Sequence, residues 1–308
     1  MSSRMLSQPN GRMSTRILVA ALVLGLAGMA HAQMRPMPKK RVFVEQAEAS
    51  MRVTGSIVIN PDGSVLAYGI DRKDEVAPEA IALVDSTVRG WRFAPYLVNG
   101  QAVQVKAPMS VLLLANADAS GQVMARVASA WFGSTTDLAG EKSASPSSRS
   151  MRPPDYPRGA QKRGGSGTVY SVVRFGTDGA VSNVVIEQVN LTAAGTSTQM
   201  NDLRESLGKA VINAAKGWTF NPPTTGPSAD DGTWQVRIPV NFCADSTGPC
   251  GEVYGKWNAY VPGPRDALPS WADADAAQSA MLPAALPGNG VYLISMEGRP
   301  RLLNPPKG

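Results

Sequence analysis

Apolar positions in this chain follow one succession of periods that is met twice. In the later stretch, Val169, Ser171, Val173 and Phe175 share one face of an extended run that breaks at Asp178-Gly179. Val181–Val189 then returns, and Asp-Gly between alternating apolar runs predicts a hairpin. Leu203, Leu207, Val211, Ala214 and Trp218 recur at steps of 4, 4, 3 and 4, a helical stripe that Asn221-Pro222-Pro223 stops. Trp234, Val236, Ile238, Val240 and Phe242 alternate with Gln235, Arg237, Pro239 and Asn241, which predicts a strand with one buried face. The earlier stretch keeps this order. Val53, Ile57 and Ile59 lead to Asp62-Gly63, Val65–Ile70 returns, and Pro78 opens a helix carrying Ile81, Val84, Val88 and Trp91. Asn99-Gly100 then turns the chain into Val103, Val105, Ala107, Met109, Val111 and Leu113.

Both stretches close their helix with Trp-x-Phe-x-Pro, at Trp91-x-Phe93-x-Pro95 and Trp218-x-Phe220-x-Pro222. The later one is longer between Gly179 and Trp218, where Asn190–Asn201 supplies a Thr-, Ala- and Ser-rich loop. Repetition of one supersecondary unit fixes the expected architecture. That architecture is α+β: two units, each a small antiparallel sheet of about three strands covered by one or two helices. Trp91, Phe93, Trp218 and Phe220 are expected in the cores, because the Trp-bearing helix is the only cover each unit encodes. Pro108 and Pro239 lack a ladder donor, so each last strand is expected at a sheet edge.

Expected boundaries are a leader over 1–32, a first unit over 33–116, a linker over 117–151, a second unit over 152–250 and a Pro/Ala-rich tail over 251–308. Within the linker Ala125–Phe132 reads as a short helix, and Gly133–Ser150 has no period. In the tail, Val291–Ile294 and Arg301–Leu303 read as a hairpin around Glu297-Gly298.

The leader carries Arg4, Arg12 and Arg16 before an apolar run from Ile17 to Ala30, and Ala30-His31-Ala32 reads as a cleavage site. A helix over that run reaches about 21 Å, short of a hydrocarbon core of roughly 30 Å. Cleavage is therefore expected, with an uncleaved anchor as the rival. Removing 1–32 lowers the formal net charge from +6 to +3, too little to argue for a nucleic-acid partner. The only histidine, His31, leaves with the leader. The remainder has no Ser-His-Asp device and no imidazole ligand, so neither a metal nor a cofactor is expected. Ser206 with Lys209, and Asp230-Asp231, are the nearest approach to enzyme chemistry, and both read as incidental surface pairs. Cys243 and Cys250 are the only cysteines, and in an oxidising compartment they read as a local disulfide across Gly248-Pro249.

Pro154-Asp155-Tyr156-Pro157, Gly167-Thr168-Val169, Asp178-Gly179, Trp218-x-Phe220-x-Pro222 and Val236-x-Ile238-Pro239-Val240-x-Phe242 stand in an order that resembles the C-terminal domain of the TonB family, over about 152–243. The earlier unit resembles the same domain over about 44–114, without the Tyr-Pro motif, as a degenerate copy. The resemblance implies a periplasmic, non-enzymatic domain that grips an extended peptide of an outer-membrane transporter, or another envelope protein, as an added strand. It implies that Tyr156-Pro157 and the edge residues Gln235, Arg237, Pro239 and Asn241 contact that peptide. Arg237 is expected to point outward and to tolerate alanine.

The apparent cleavage site, the lack of a long Pro-rich spacer after it, and the second copy depart from an energy transducer of that family. The expected function is a TonB-like binding module linked to transmembrane transport. The alternatives are a transducer with a retained anchor and a structural envelope protein without a peptide ligand. One further expectation competes with docking: the tail strand Val291–Ile294 pairs along the same edge and closes it.

Overall fold

The computed structural model describes residues 47–117, 121–135, 142–193, 195–244, 251–272 and 281–306. The expected leader and Cys250 lie outside them. Strand β1 (Glu48–Ile59) turns at Asp62-Gly63 into β2 (Val65–Ile70), and helix α1 (Pro78–Val88) follows. A small hairpin, β3 (Leu97–Val98) and β4 (Gln101–Ala102), turns at Asn99 and Gly100, whose φ values of 50° and 79° suit a two-residue primed turn. Strand β5 (Val105–Ala117) then pairs antiparallel along all of β1 except Glu48.

The second stretch has the same order of main strands and helix, without a counterpart of the β3–β4 hairpin. Strand β8 (Gly167–Gly176) turns at Asp178-Gly179 into β9 (Val181–Leu191), helix α3 (Ser197–Ala215) follows, and β11 (Thr233–Phe242) pairs along all of β8. The architecture is mixed α+β, built on antiparallel sheets with few helices.

One contact explains why Asp-Gly and Trp-x-Phe travel together. Phe93 N–H donates to the Gly63 carbonyl at 2.8 Å, and Phe220 N–H donates to the Gly179 carbonyl at 2.9 Å. Each glycine has φ near +80° and lies so close to the phenylalanine carbonyl that a Cβ would meet it at 1.9 or 2.0 Å. Only glycine fits. Each aspartate caps its own turn, Asp62 accepting from Ser64 N–H and Asp178 from Ala180 N–H. The two tryptophans lie just past their helices, because Gly90 and Gly217 end the coil first, and each bonds back to the last turn. Both are 2 % exposed, and Phe93 and Phe220 are buried beside them.

The sheets are wider than the sequence periods suggest. The first has five strands in the order β12 (Asn258–Tyr260), β1, β5, β6 (Val123–Phe132), with β2 also on β1; the second has four, β13 (Tyr292–Leu293), β11, β8, β9. Three of the added strands come from segments without a predicted strand, or from the tail. Strand β6 (Val123–Phe132) is the run expected as a helix, and it pairs along β5. Ten residues with apolar and polar positions mixed do not separate the two periods, and an open strand beside them decides the outcome. Strand β7 (Ser147–Ser150) pairs with β10 (Thr219–Asn221), so the stretch expected as linker also carries structure.

Strand β5 is interior, contrary to the edge expected from Pro108. Pro108 is tolerated because β6 stops beside it: Phe132 pairs with Met109, and Gly133 N–H donates to the Pro108 carbonyl. The absent donor therefore faces the end of a strand.

The tail crosses both sheets. Strand β12 (Asn258–Tyr260) pairs with β1, Val261 and Arg265 bridge to β9, and β13 (Tyr292–Leu293) pairs with β11. Leu302 bridges to Phe93, so the two segments expected as one hairpin go to different partners. α1 and α3 each cover a core on one sheet face. The opposite faces meet in a third apolar layer: Leu112 and Leu114 of β5, Trp131 of β6 and Tyr170 of β8 pack with Met281 and Leu286 of the tail. That layer explains why β5 and β8 are apolar on both faces.

Candidate functional site

Strand β11 is held on its inner side along its whole length and on its outer side over a short stretch only. Val236 pairs with Leu293 and Arg237 with Tyr292, and the Gln235 carbonyl accepts from Ile294 N–H at 2.9 Å. In an antiparallel ladder both main-chain groups of a residue face one side, so Gln235, Arg237, Pro239 and Asn241 form the outer row. Pro239 has no N–H to offer there, and the pairing stops before it.

The side chains of that row are covered as well. Arg237 is 2 % exposed, and its Nε donates to Glu187 Oε2 at 2.8 Å. Glu187, fully buried on β9, also accepts from Arg265 Nε at 2.9 Å. The outward arginine expected from alternation is therefore an interior cation, because the tail lies over this sheet face. Val172, Ala272 and Ile294 form the apolar part of that cover. Pro239 is buried, while Gln235 and Asn241 are half-buried. Asn241 Oδ1 accepts from Thr168 Oγ1 at 2.7 Å, and its Nδ2 donates to Asn289 Oδ1 at 3.0 Å.

Tyr156 comes to the end of the same strand. Its ring stands edge-on to Phe242, with centroids 5.3 Å apart, and its hydroxyl donates to the Gly165 carbonyl at 2.6 Å. Burial pushes its phenol above the ordinary value. Pro157 caps a short helix, α2 (Arg158–Lys162), without a side-chain hydrogen bond. The structure thus places Tyr156-Pro157 beside Phe242, away from the β13 pairing.

On the occupied part of the edge, Tyr292 packs edge-on against Trp131 at 5.4 Å, and burial raises its phenol to about 12. Val291 and Leu293 pack on the second core. Arg299 holds the outer side of this segment: its Nη1 donates to the Leu293 carbonyl at 2.9 Å and its Nε to the Phe132 carbonyl at 2.8 Å.

Sequence reasoning missed Glu187, Arg265 and Arg299. A single acid inside an apolar strand was the only signal available for Glu187, and nothing linked it to arginines 50 and 78 residues away.

Elsewhere the chemistry is sparse. Lys209 pairs with Glu205 on the surface of α3, and Asp230 and Asp231 are exposed. Among the described residues no group of three or more His, Cys, Asp or Glu is placed to hold a metal. Cys243 is half-buried just after β11, and its expected partner lies outside the described residues.

No protein-family model matches the chain. It is 35 % identical over 96 residues to Protein TonB of Xanthomonas campestris pv. campestris, in each of two strains. That match covers 31 % of this chain and 37 % of the relative. It is 34 % identical over 89 residues to Protein tonB2 of Pseudomonas aeruginosa, covering 29 % of this chain and 28 % of the relative. The chain thus spans about a third of the length of the curated relatives it matches. These similarities support a TonB-like domain within it.

Proposed function

We propose that the protein is a non-enzymatic, periplasmic TonB-like binding module that takes an extended peptide or envelope component onto a sheet edge, in a role linked to TonB-type transmembrane transport. The observation that carries this reading is the outer side of β11, a ten-residue strand paired there over only two register positions. Added strands gain affinity from main-chain bonds and selectivity from alternate side chains. In this reading Gln235, Arg237, Pro239 and Asn241 supply the edge, and Tyr156 and Pro157 stand at its end. An outer-membrane transporter, or another envelope protein, is the partner. The earlier unit is a degenerate copy of the same domain, a reading supported by the matching Gly63–Phe93 and Gly179–Phe220 hydrogen bonds.

Amide exchange of the full chain, with and without solubilised outer-membrane protein, tests the docking edge. Slower exchange along Gln235–Asn241 with the added fraction is expected, most of all at Asn241, where β13 does not pair. Unchanged exchange along Gln235–Asn241 with every envelope fraction overturns peptide docking. It would favour the structural envelope role instead, to which the tail strand already seated on β11 lends support.

We also propose that 1–32 is removed on export and that Cys243 pairs with Cys250. Among the described residues no helix is long and apolar enough to cross a membrane. N-terminal sequencing of exported protein is expected to begin at Gln33, and an intact leader would favour the anchored transducer. Alkylation of the same material without reductant is expected to label neither cysteine; two labelled thiols would end the pairing.

A further inference from the structure

Four consecutive residues of the tail meet the β11 edge, and each side chain has a separate place. Val291 and Leu293 turn inward and pack on the second core. Tyr292 turns to the opposite face, against Trp131, and Ile294 follows it on that face at 4 % exposure, beside Val172. The main chain is read at the same time, through the pairs Val236–Leu293 and Arg237–Tyr292 and the bond from Ile294 N–H to the Gln235 carbonyl. Alternate side chains in pockets and main-chain bonds along an edge are the two components of strand-addition recognition.

We propose that β13 is a built-in stand-in for the partner of this edge. The partner is then an extended, uncharged segment of another envelope protein, with an aliphatic, an aromatic and two more aliphatic residues in the register Val291-Tyr292-Leu293-Ile294, and it binds by displacing β13. This rests on the strand-addition reading above and gives its ligand a chemical identity. Three features set the match. Pro239 interrupts the donor row after Arg237, so a segment that runs past Arg237 loses one main-chain bond there. Arg237 already pairs with Glu187, so a charge on the incoming segment has no purpose-made counter-ion at that position. Trp131 meets Tyr292 edge-on at 5.4 Å, a contact that an aromatic residue makes and an aliphatic one fills less well.

The resident strand has the advantage of being tethered. Attachment gives it an effective concentration on the order of millimolar, which a free peptide must overcome. The intact protein is therefore a weak binder of its own sequence, and loosening β13 makes it a stronger one.

The test uses the full chain, its L293D and I294D variants, and a labelled peptide of residues 289–297, read by fluorescence anisotropy. A retained cooperative melt and faster amide exchange at Gln235 and Arg237 establish that each variant is folded with the edge open. Binding of the peptide about ten-fold or more tighter to the variants than to the parent is expected, with no binding of a peptide carrying Asp in place of Leu293. An opened edge that ignores the 289–297 peptide but takes other extended envelope peptides overturns this inference and leaves the strand-addition reading standing. An opened edge that binds no peptide overturns both. Unchanged exchange at Gln235 and Arg237 in both folded variants overturns it too, because β13 would then not be what covers the edge.

Discussion

Arg237 carries the sharpest consequence at the scale of one residue. Read by alternation it belongs to solvent, and its truncation looks harmless. In the fold it neutralises a carboxylate with no exposure at all. Removing one partner of a buried pair is costly because the other charge remains in a poor solvent. Arg237→Ala is therefore expected to destabilise the protein by about 3 kcal/mol, the low end for such pairs, because Arg265 at 26 % side-chain exposure still touches Glu187. Urea denaturation of the purified variant measures it, and a midpoint equal to that of the parent would show the pair to be dispensable. Replacing both residues, Arg237→Met with Glu187→Leu, is expected to recover much of the loss. Trp218 is the contrasting case. Its step from the helical stripe already marked it as core, and its Nε1 donates to the Arg152 carbonyl at 2.8 Å.

At the scale of elements, the two prolines show what a local signal can and cannot say. Pro108 and Pro239 each state that one donor is missing, and from the sequence each points to an edge strand. What they share in the fold is narrower: the pairing of a neighbouring strand stops beside them, that of β6 at Phe132 and that of β13 at Tyr292. The helices differ in how they begin. α3 starts with a capping box, in which Thr196 Oγ1 accepts from Gln199 N–H and Gln199 Oε1 accepts from Thr196 N–H. α1 has no side-chain cap and starts at Pro78. Thr196→Ala is expected to cost about 1 kcal/mol, seen as a lower melting temperature by circular dichroism. An unchanged melt would mean that packing of Met200, Leu203 and Leu207 alone sets where α3 begins.

Across the whole molecule, the tail supplies contacts that neither sheet makes for itself. It adds β12 to one and β13 to the other, and it places Met281 and Leu286 between their apolar backs. Arg52 Nη1, on β1, donates to the Leu286 carbonyl at 2.6 Å, across 234 residues of sequence. A chain ending at Cys250 is expected to expose Leu112, Leu114, Trp131 and Tyr170 together and to associate through them, since bare apolar faces and open edges both favour aggregation. Sedimentation of this truncated chain beside the full one would decide it, and a well-behaved monomer with an unshifted melt would show the tail to be a peripheral addition.

The sequence by itself determined what depends on neighbours in the chain. Both Asp-Gly turns, the strands beside them, both helices and the burial of Trp91, Phe93, Trp218 and Phe220 follow from period, turn chemistry and helix stops within short windows. The tertiary structure alone decided which edges stay open and which faces meet water. Ala125–Phe132 became a strand because β5 had an unpaired side, and Arg237 became a buried cation because Glu187 and Arg265 came to it from distant segments. Strand pairing and ion pairing join residues whose separation along the chain leaves no periodic trace. A pattern of apolar positions can state that a face needs cover, but not which segment covers it.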